Sequence, residues 1–293
     1  MNLGITGATG FVGKALIQAA IRQGYEVVAF SRDPSRTVAG CVEARRFSLD
    51  EPPDFSGCEA IIHLAGENVA GLWTAGKKRR IRDSRILGAQ RVAEAIHIAK
   101  QPPEVLVTAS AIGFYGDQGD AELDEHAPRG SGFLADICTE NEAQFASIGP
   151  TSRVVFARLG IVLGDGGALR AMRPIVNIGL GGPLGHGQQW MSWIHLQDAA
   201  SLLLFAVRNL DIRGPLNLTA PWPARNADFT KLLARSLHRP ALLRVPAFAM
   251  RLVLREFADE LLCSRRVLPA VATEHGFGFR FPELTEAVFA NHA

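Results

Sequence analysis

The strongest constraint on the fold is a run of three evenly spaced glycines near the start of the chain. Gly7, Gly10 and Gly13 follow the short apolar segment LGIT and open a stretch with helical spacing, FVGKALIQAAIRQG. In such a turn the first glycine permits a tight bend, the second lets backbone approach a pyrophosphate, and the third lets the helix pack on the strand. The start of the helix adds unpaired N–H groups and a partial positive charge. These features predict a dinucleotide site made of Gly7, Ala8, Thr9, Gly10, Phe11, Val12 and Gly13.

The rest of the chain alternates strand-like and helix-like segments. YEVVAFS, EAIIHLAG, EVLVTAS and SRVVFARLGIVLG are apolar runs of strand character, whereas SRILGAQRVAEAIHIAK and LQDAASLLLFAVRN carry apolar residues at helical spacing. This alternation is typical of right-handed βαβ units and of a parallel sheet covered on both faces. We therefore predict an α/β protein: a Rossmann-type doubly wound parallel sheet with a smaller, mainly helical C-terminal lobe.

Changes in pattern along the chain predict how it divides. Residues 1–220 are expected to form the dinucleotide-binding domain, and the glycine-rich stretch 165–195 within it is expected to form a lobe over the crevice. After the sequence PWP, the segments ADFTKLLARSLH, PAFAMRLVLREFADELL and LTEAVFANH have helical character. Residues 221–293 are therefore predicted to form a C-terminal helical domain.

The composition is that of an ordinary globular protein, and it argues against several functions. The 293 residues carry a net charge of +2, which gives no dedicated surface for nucleic acid, and KKRR at 77–80 is interpreted as a solvated helix face. No segment approaches the ~20 apolar residues of a membrane span, and MNLGITGATG reads as a strand rather than a signal peptide. The scattered cysteines fit neither a disulfide framework nor a metal site, so we expect reduced thiols, no metal and a cytoplasmic location. They are Cys41, Cys58, Cys138 and Cys263.

The residues after the second predicted strand favour NADP over NAD. A carboxylate at the end of that strand would bind the adenosine ribose of NAD. This chain has Ser31 and Arg32 there, with Asp33 one step beyond. An arginine can form a forked hydrogen bond with a 2′-phosphate, which a carboxylate in the same place would repel. The alternative is that Arg32 is a surface arginine in a turn.

The motif HLAGEN lies at the carboxyl end of another buried strand, at the edge where open α/β sheets bind ligands. Ala65 and Gly66 are small enough for the chain to pass close to the adenine ribose. His63 is placed in the binding set, although a packing role at the end of the strand is the alternative for its side chain.

These motifs, with SAIGFYG and WIHLQDAA, resemble an extended or atypical short-chain dehydrogenase/reductase. LGDGGAL, GLGGPLGHGQQWMSWIH, VPAFAMRLVLREFADELL and GFGFRFPEL narrow the resemblance to an epimerase family that carries a C-terminal domain of unknown function and is also described as cell-division inhibitor homologues. The resemblance covers essentially the whole chain. It implies NADP contacts from Ser31, Arg32, His63, Leu64 and Arg85, and we add Val162 to this set. An exposed position on a helix is the alternative for Arg85.

The parent superfamily uses a serine or threonine together with a Tyr-x-x-x-Lys pair, in which the tyrosine exchanges a proton with the substrate. Ser110 fits the hydroxyl position, but the alignment puts Phe133 at the tyrosine position and Ile137 at the lysine position. The chain has only two tyrosines and no lysine between residues 100 and 231, so the pair occurs nowhere in it.

Ser110 and Tyr115 remain as the candidate catalytic residues. Tyr115 comes shortly after Ser110 and could serve as an unassisted acid, or it could have a packing or structural hydrogen-bonding role. Tyr25 begins the second strand, at the wrong edge of the sheet. The acidic loop GDQGDAELDE is interpreted as a solvated loop.

Nucleotide-sugar enzymes of this type often carry a phosphate-binding arginine at the position of Met191, so a nucleotide sugar is disfavoured. Gln189, Trp190 and Trp193 are expected to make the pocket more aromatic. Two hypotheses follow: an NADP-dependent oxidoreductase or epimerase acting on an unknown small molecule, or a catalytically silent NADP-binding sensor or regulator. One scaffold can serve both. A homo-oligomer is compatible with the sequence, although no segment identifies an interface.

Overall fold

A computed structural model describes residues 1–35, 38–149, 151–167, 169, 181–239 and 243–290. Numbered along the chain, its strands are β1 (Asn2–Thr6), β2 (Glu26–Ser31), β3 (Glu43–Arg46), β4 (Ala60–His63), β5 (Val105–Ala111), β6 (Glu122–Leu123), β7 (Arg153–Leu159), β8 (Ile161–Leu163), β9 (Trp190–Met191), β10 (Trp193–His195), β11 (Gly214–Leu218), β12 (Ala224–Arg225) and β13 (Arg266–Val267). Its α-helices are α1 (Phe11–Arg22), α2 (Ala75–Ile98), α3 (Phe133–Ala143), α4 (Leu196–Arg208), α5 (Asn226–Ser236), α6 (Ala247–Leu254), α7 (Glu256–Leu262), α8 (Ala270–Glu274) and α9 (Leu284–Phe289). None of these described helices has the length and apolar character needed to cross a bilayer.

Seven strands form one parallel sheet in the order β11-β7-β5-β4-β1-β2-β3. The chain runs outward from β1 through β2 to β3, and then returns to the other side of β1 to continue through β4, β5, β7 and β11. The reversal between β1 and β4 is a topological switch point, where the carboxyl ends of the strands leave a crevice for a ligand. This order confirms the predicted Rossmann-type doubly wound fold.

The two faces of the sheet are covered by different helices. Along β2, Val27 and Ala29 join a core with α1 and α4, whereas Val28 and Phe30 join a second core with α2. Successive residues of a strand point to opposite faces, so a run of apolar residues is buried on both sides. The central apolar segments of the sequence therefore form strands because the helices shield both of their faces.

The C-terminal part of the chain is mainly helical, as predicted, and is attached to the sheet domain at several points. Helices α5 and α9 share a core with Trp193, and β13 pairs with β6. The segment PAFAMRLVLREFADELL forms two helices rather than one, because Arg255 between α6 and α7 has a φ of 51°. Much of the predicted lobe at 165–195 lies outside the described residues, and the division at residue 220 stays a prediction.

Candidate functional site

The glycine turn forms the floor of the crevice. Gly7 has a φ of +69°, and a Cβ atom on it would lie 2.8 Å from the carbonyl carbon of Leu64 and 2.9 Å from the nitrogen of Ala65. A Cβ on Gly13 would collide with the carbonyl oxygen of Gly7. These two glycines therefore let β1, β4 and α1 approach each other closely. Any larger side chain would force them apart.

Helix α1 begins directly behind this turn in a form suited to an anion. Its N-cap, Gly10, supplies no side-chain hydrogen bond, and its first turn contains no acidic residue. The first N–H groups of a helix have no partner within the helix, and together they carry a partial positive charge. The amide groups after Gly10 are thus a fitting place for the pyrophosphate of a dinucleotide.

A buried hydrogen-bond cluster ties the end of β1 to the end of β4. The Thr6 hydroxyl accepts from the backbone N–H groups of Leu64 and Ala65, at 3.1 Å and 3.2 Å, and lies 2.7 Å from His63 Nδ1. Because Thr6 Oγ1 already accepts twice, its own hydrogen points to Nδ1, and the His63 ring carries its proton on Nε2. Sequence reasoning missed Thr6, although its position directly before the glycine motif was a usable signal.

This cluster encloses the side chain of His63. The residue is only 3 % exposed, and burial, followed by the nearby charge of Arg85, lowers the pKa of His63 to about 4. The neutral ring is enclosed between Thr6 and Phe47 rather than open to the crevice. Its side chain therefore takes the packing role that was the alternative, and it fixes the turn from behind.

At the end of β2, the structure presents a cation rather than a carboxylate. Arg32 is exposed and forms no hydrogen bond or ion pair with any described residue. The Ser31 hydroxyl donates to the carbonyl oxygen of Asp33 at 2.9 Å, and the Asp33 carboxylate accepts from Ser35. The arrangement leaves the Arg32 guanidinium available to a phosphate on the ribose 2′ position, so the residues fit NADP.

Arg85 lies beside the other backbone segment predicted to meet the cofactor. Its Nη1 donates to the carbonyl oxygens of Glu67 and Ile81, at 3.0 Å and 3.3 Å, while Nε and Nη2 have no partner among the described residues. The guanidinium carbon would lie 3.5 Å from a Cβ on Gly66. Arg85 is thus anchored over the HLAGEN segment with donors to spare, in contrast to a solvated helix position.

Phe11 and Val162 bring a distant loop to the same end of α1. A Cβ on Gly164, Gly166 or Gly167 would lie 2.9, 2.6 or 2.8 Å from the Phe11 ring. Val162 is half-buried in β8, directly before this loop. The Phe11 side chain is therefore occupied by packing, which leaves its backbone N–H as the part available to a phosphate.

Ser110 lies at the carboxyl end of β5, half-buried, and is held by a carboxylate. Its Oγ donates to Glu142 Oε1 at 2.7 Å. Arg158, on β7, donates two hydrogen bonds to the same carboxylate, from Nε at 3.0 Å and from Nη2 at 2.8 Å. The Arg158 and Glu142 side chains are only 4 % and 11 % exposed, so this is a buried bidentate ion pair. Arg158 gave no recognisable signal in the sequence.

Tyr115 is fully buried and both sides of its hydroxyl are engaged. It donates to Asn217 Oδ1 at 2.8 Å and accepts from Arg158 Nη1 at 3.0 Å, and burial raises the pKa of the phenol. A proton donor must reach the substrate directly or through one water. These surroundings support the structural alternative for Tyr115, and its role as an acid stays a prediction.

Aromatic and aliphatic side chains occupy the positions of the missing pair. Phe133 packs edge-on against Trp73 with ring centres 4.9 Å apart, and Trp73 meets Phe257 of α7 at 5.5 Å. Ile137 is 2 % exposed in the same cluster. Lys78 lies 4.7 Å from the centre of the Phe133 ring, but it is paired with Glu256. Nothing in this cluster replaces the proton-transferring phenol.

Comparison with known proteins agrees with this architecture. Residues 3–218 match the model of the NAD dependent epimerase/dehydratase family, and residues 245–289 match a domain of unknown function. The chain belongs to the NAD-dependent epimerase/dehydratase family. A chloroplastic homologue of epimerase family protein SDR39U1 from Arabidopsis thaliana is 36% identical over 99% of this chain and 86% of its own.

Solved structures of other members of the family match the whole fold. The human epimerase family protein SDR39U1, crystallised with NADPH, is 34% identical, with a TM-score of 0.90 over 99% of this chain and 98% of its own. A nucleoside-diphosphate sugar epimerase from Corynebacterium glutamicum is 31% identical, with a TM-score of 0.79 over 98% of this chain and 57% of its own.

In this member of the epimerase family, most of the residues expected to give the pocket an aromatic lining are buried. Trp193 and Gln189 are 0 % and 1 % exposed, so they belong to the interior instead of an open pocket. Met191 is packed in the same region, where its sulfur accepts from Asn226 Nδ2 at 3.1 Å. Trp190 is stacked by Arg225, 3.9 Å away, and lines a surface cavity of about 530 Å³ with Trp222.

Proposed function

We propose that the chain is an NADP(H)-dependent oxidoreductase that interconverts a carbonyl and an alcohol on a small molecule other than a nucleotide sugar. The exposed Arg32 guanidinium, which follows the strand next to β1 and has no partner among the described residues, is the observation that carries the choice of cofactor. NADP, when bound, would supply hydride chemistry. The amide groups after Gly10 would hold its pyrophosphate and Arg32 its 2′-phosphate, and the human relative crystallised with NADPH supports the choice.

The residues around the substrate would act mainly by position. Ser110 offers a fixed polar contact at the end of β5, and Glu142 with Arg158 holds it there. Phe133 and its neighbours fill the position of the usual acid with apolar side chains. The proton that accompanies the hydride would be exchanged with water, and holding substrate and cofactor in register would lower the barrier to hydride transfer.

Binding of the two reduced nucleotides tests the cofactor assignment. Calorimetry should give tight binding of NADPH and weak binding of NADH to nucleotide-free protein. Arg32→Ala should weaken NADPH binding about 10- to 100-fold, the loss expected for hydrogen bonds to a charged group, and leave NADH binding unchanged. Arg22→Ala, which removes an exposed arginine at the far end of α1, is the control. Equal binding of both nucleotides by the native protein would refute the proposal.

The second candidate is a silent NADP(H)-binding regulator. It is favoured by one observation. Phe133 and Ile137 stand where the parent superfamily has its tyrosine and lysine, and Tyr115 is buried with its hydroxyl bonded to Asn217. Steady NADPH oxidation with a carbonyl compound supports the oxidoreductase. A set of captured partner proteins that changes on addition of NADPH, with no turnover, supports the regulator. Its partners, its oligomeric state and a cytoplasmic location stay predictions.

A further inference from the structure

The hydroxyl hydrogen of Ser110 is committed within the protein. Serine has one O–H donor and two acceptor lone pairs. Ser110 directs its hydrogen to Glu142 Oε1 at 2.7 Å, and an ionised carboxylate can only accept. What Ser110 has left for a ligand in the crevice is therefore acceptor capacity, the opposite polarity to that needed to bind a carbonyl oxygen.

Neighbouring groups hold the Glu142 carboxylate in place and prevent it from turning away. Arg158 donates two hydrogen bonds to its two oxygens and a third to Tyr115, whose hydroxyl in turn donates to Asn217. The Arg158 guanidinium also stacks on the Phe114 ring, 3.5 Å from its centre. Each of the three nitrogens of this arginine donates a hydrogen bond and its side chain is only 4 % exposed, so it is held away from a carbonyl or a phosphate in the crevice.

The charge on Glu142 also decides which bond Ser110 keeps. A hydrogen bond to a charged group is roughly twice as strong as one between neutral groups. A neutral carbonyl therefore competes poorly for the Ser110 hydrogen, whereas a ligand hydroxyl can donate to the Ser110 oxygen without breaking the bond to Glu142.

The face of α3 that leads away from Ser110 is apolar. Leu134, Ile137 and Cys138 are buried along it, and Phe133 with Trp73 continues the surface at the start of the helix. The nearby thiol of Cys138 is turned to the carbonyl oxygen of Ala111, 3.7 Å away. Of these side chains only Phe133 is half-buried, so it is the apolar side chain left to meet the remaining atoms of a ligand whose polar end meets Ser110.

We propose that Ser110, fixed as a hydrogen-bond acceptor by Glu142, selects a neutral hydroxylated ligand with an apolar body. The alcohol is therefore the form of the substrate that the site recognises. This inference rests on the proposed function for the identity of the site, but it concerns recognition and does not depend on turnover.

A pair of unreactive ligands separates donor from acceptor recognition. 2-Naphthol carries an O–H donor on an apolar body, and 2-methoxynaphthalene has the same body with an acceptor only. With the protein saturated with NADPH, calorimetry should show 2-naphthol binding about tenfold tighter, the difference expected for one hydrogen bond. If 2-methoxynaphthalene binds equally well or better, the acceptor role of Ser110 is wrong. If NADPH binds and neither naphthalene does, the apolar ligand class is wrong.

Two variants and one control variant test whether the preference for 2-naphthol comes from Ser110 and Glu142. Ser110→Ala, at a half-buried position, should remove the difference between the ligands, and Thr139→Ala, whose hydroxyl bonds within α3, should retain it. Glu142→Gln can donate to Ser110 and free its hydrogen for the ligand, so it should narrow or reverse the preference. A preference that survives Ser110→Ala would overturn the assignment even if Glu142→Gln does not fold. Failure of NADPH to bind would count against the proposed function alone.

Discussion

At the scale of single residues, the site is governed by hydrogen-bond polarity more than by the kinds of residue present. Thr6 and Ser110 are both hydroxyls at strand ends, but Thr6 gives its hydrogen to His63 whereas Ser110 gives its hydrogen to Glu142. Tyr115 looks like an acid in the sequence and is a structural link in the fold. The partners of each group determine what it can do.

Replacing Tyr115 should affect stability and leave cofactor binding intact. Tyr115→Phe would leave Asn217 Oδ1 and Arg158 Nη1 without a partner inside the protein. We expect the free energy of unfolding to fall by about 1–3 kcal/mol in urea titrations, with unchanged NADPH affinity. Tyr25→Phe is the matched control, because the hydroxyl of Tyr25 has no hydrogen-bond partner among the described residues. Loss of turnover without loss of stability would return a catalytic role to Tyr115.

The lowered pKa of His63 should make stability depend on pH. The folded state holds the ring neutral down to about pH 4, whereas the unfolded ring takes up a proton near pH 6.5. Between these values the unfolded chain binds more protons, so this contribution to stability is complete above pH 6.5 and is lost as the pH falls toward 4.

The difference between native protein and His63→Gln isolates this effect from other titrating groups. Urea unfolding from pH 7.5 to pH 4.5 should show the native protein losing up to about 3 kcal/mol more than the variant over the full window. Asp198 and Glu125, whose pKa values are raised by burial, act in the opposite direction in both proteins and cancel in the comparison. Parallel pH profiles for the two proteins would show that His63 is not held neutral.

At the scale of elements, the sequence predicted the strands whose two faces are both buried, and it did not predict elements with an exposed face. The apolar runs of β1, β2, β4 and β5 predicted the central strands. By contrast, β3 has the sequence EARR and lies at an edge, so no apolar pattern marked it. Helix α2 begins at Ala75, capped by the Thr74 hydroxyl, well before the periodic segment SRILGAQRVAEAIHIAK. KKRR forms part of this early, half-exposed stretch.

The break between α6 and α7 was also not predicted from the sequence, and the cost of its backbone conformation can be tested. Helical periodicity continues through VLREFADELL, so nothing in the pattern marked Arg255, whose φ of 51° costs a residue with a Cβ about 1–3 kcal/mol. Arg255→Gly should raise the free energy of unfolding by about 1 kcal/mol in urea titrations. Lys231→Gly, an exposed cation inside α5, should lower it by a similar amount. A loss of stability in Arg255→Gly would mean that the side chain supports the break.

At the scale of the whole molecule, the sequence predicted the sheet but not the side-chain contacts between distant parts of the chain. Arg158 meets Glu142 only because β7 lies beside β5 and α3 covers that pair of strands, which no local spacing encodes. Likewise, Arg265 Nε donates to the carbonyl oxygen of Gly116 at 2.8 Å, and Asn217 Nδ2 donates to that of Leu268 at 2.9 Å. The C-terminal residues are thereby tied to the loop after β5 and to β11 of the sheet.

The Phe11 ring couples the position of the first turn of α1 to that of a loop that lies far away in the sequence. It fills the space that side chains on Gly164, Gly166 and Gly167 would need, and it belongs to the first turn of α1, the helix proposed to hold the phosphates. A larger side chain at one of these glycines would displace the Phe11 ring and, with it, the start of α1. Nucleotide affinity should therefore be sensitive to changes more than 150 positions away from the glycine motif in the sequence.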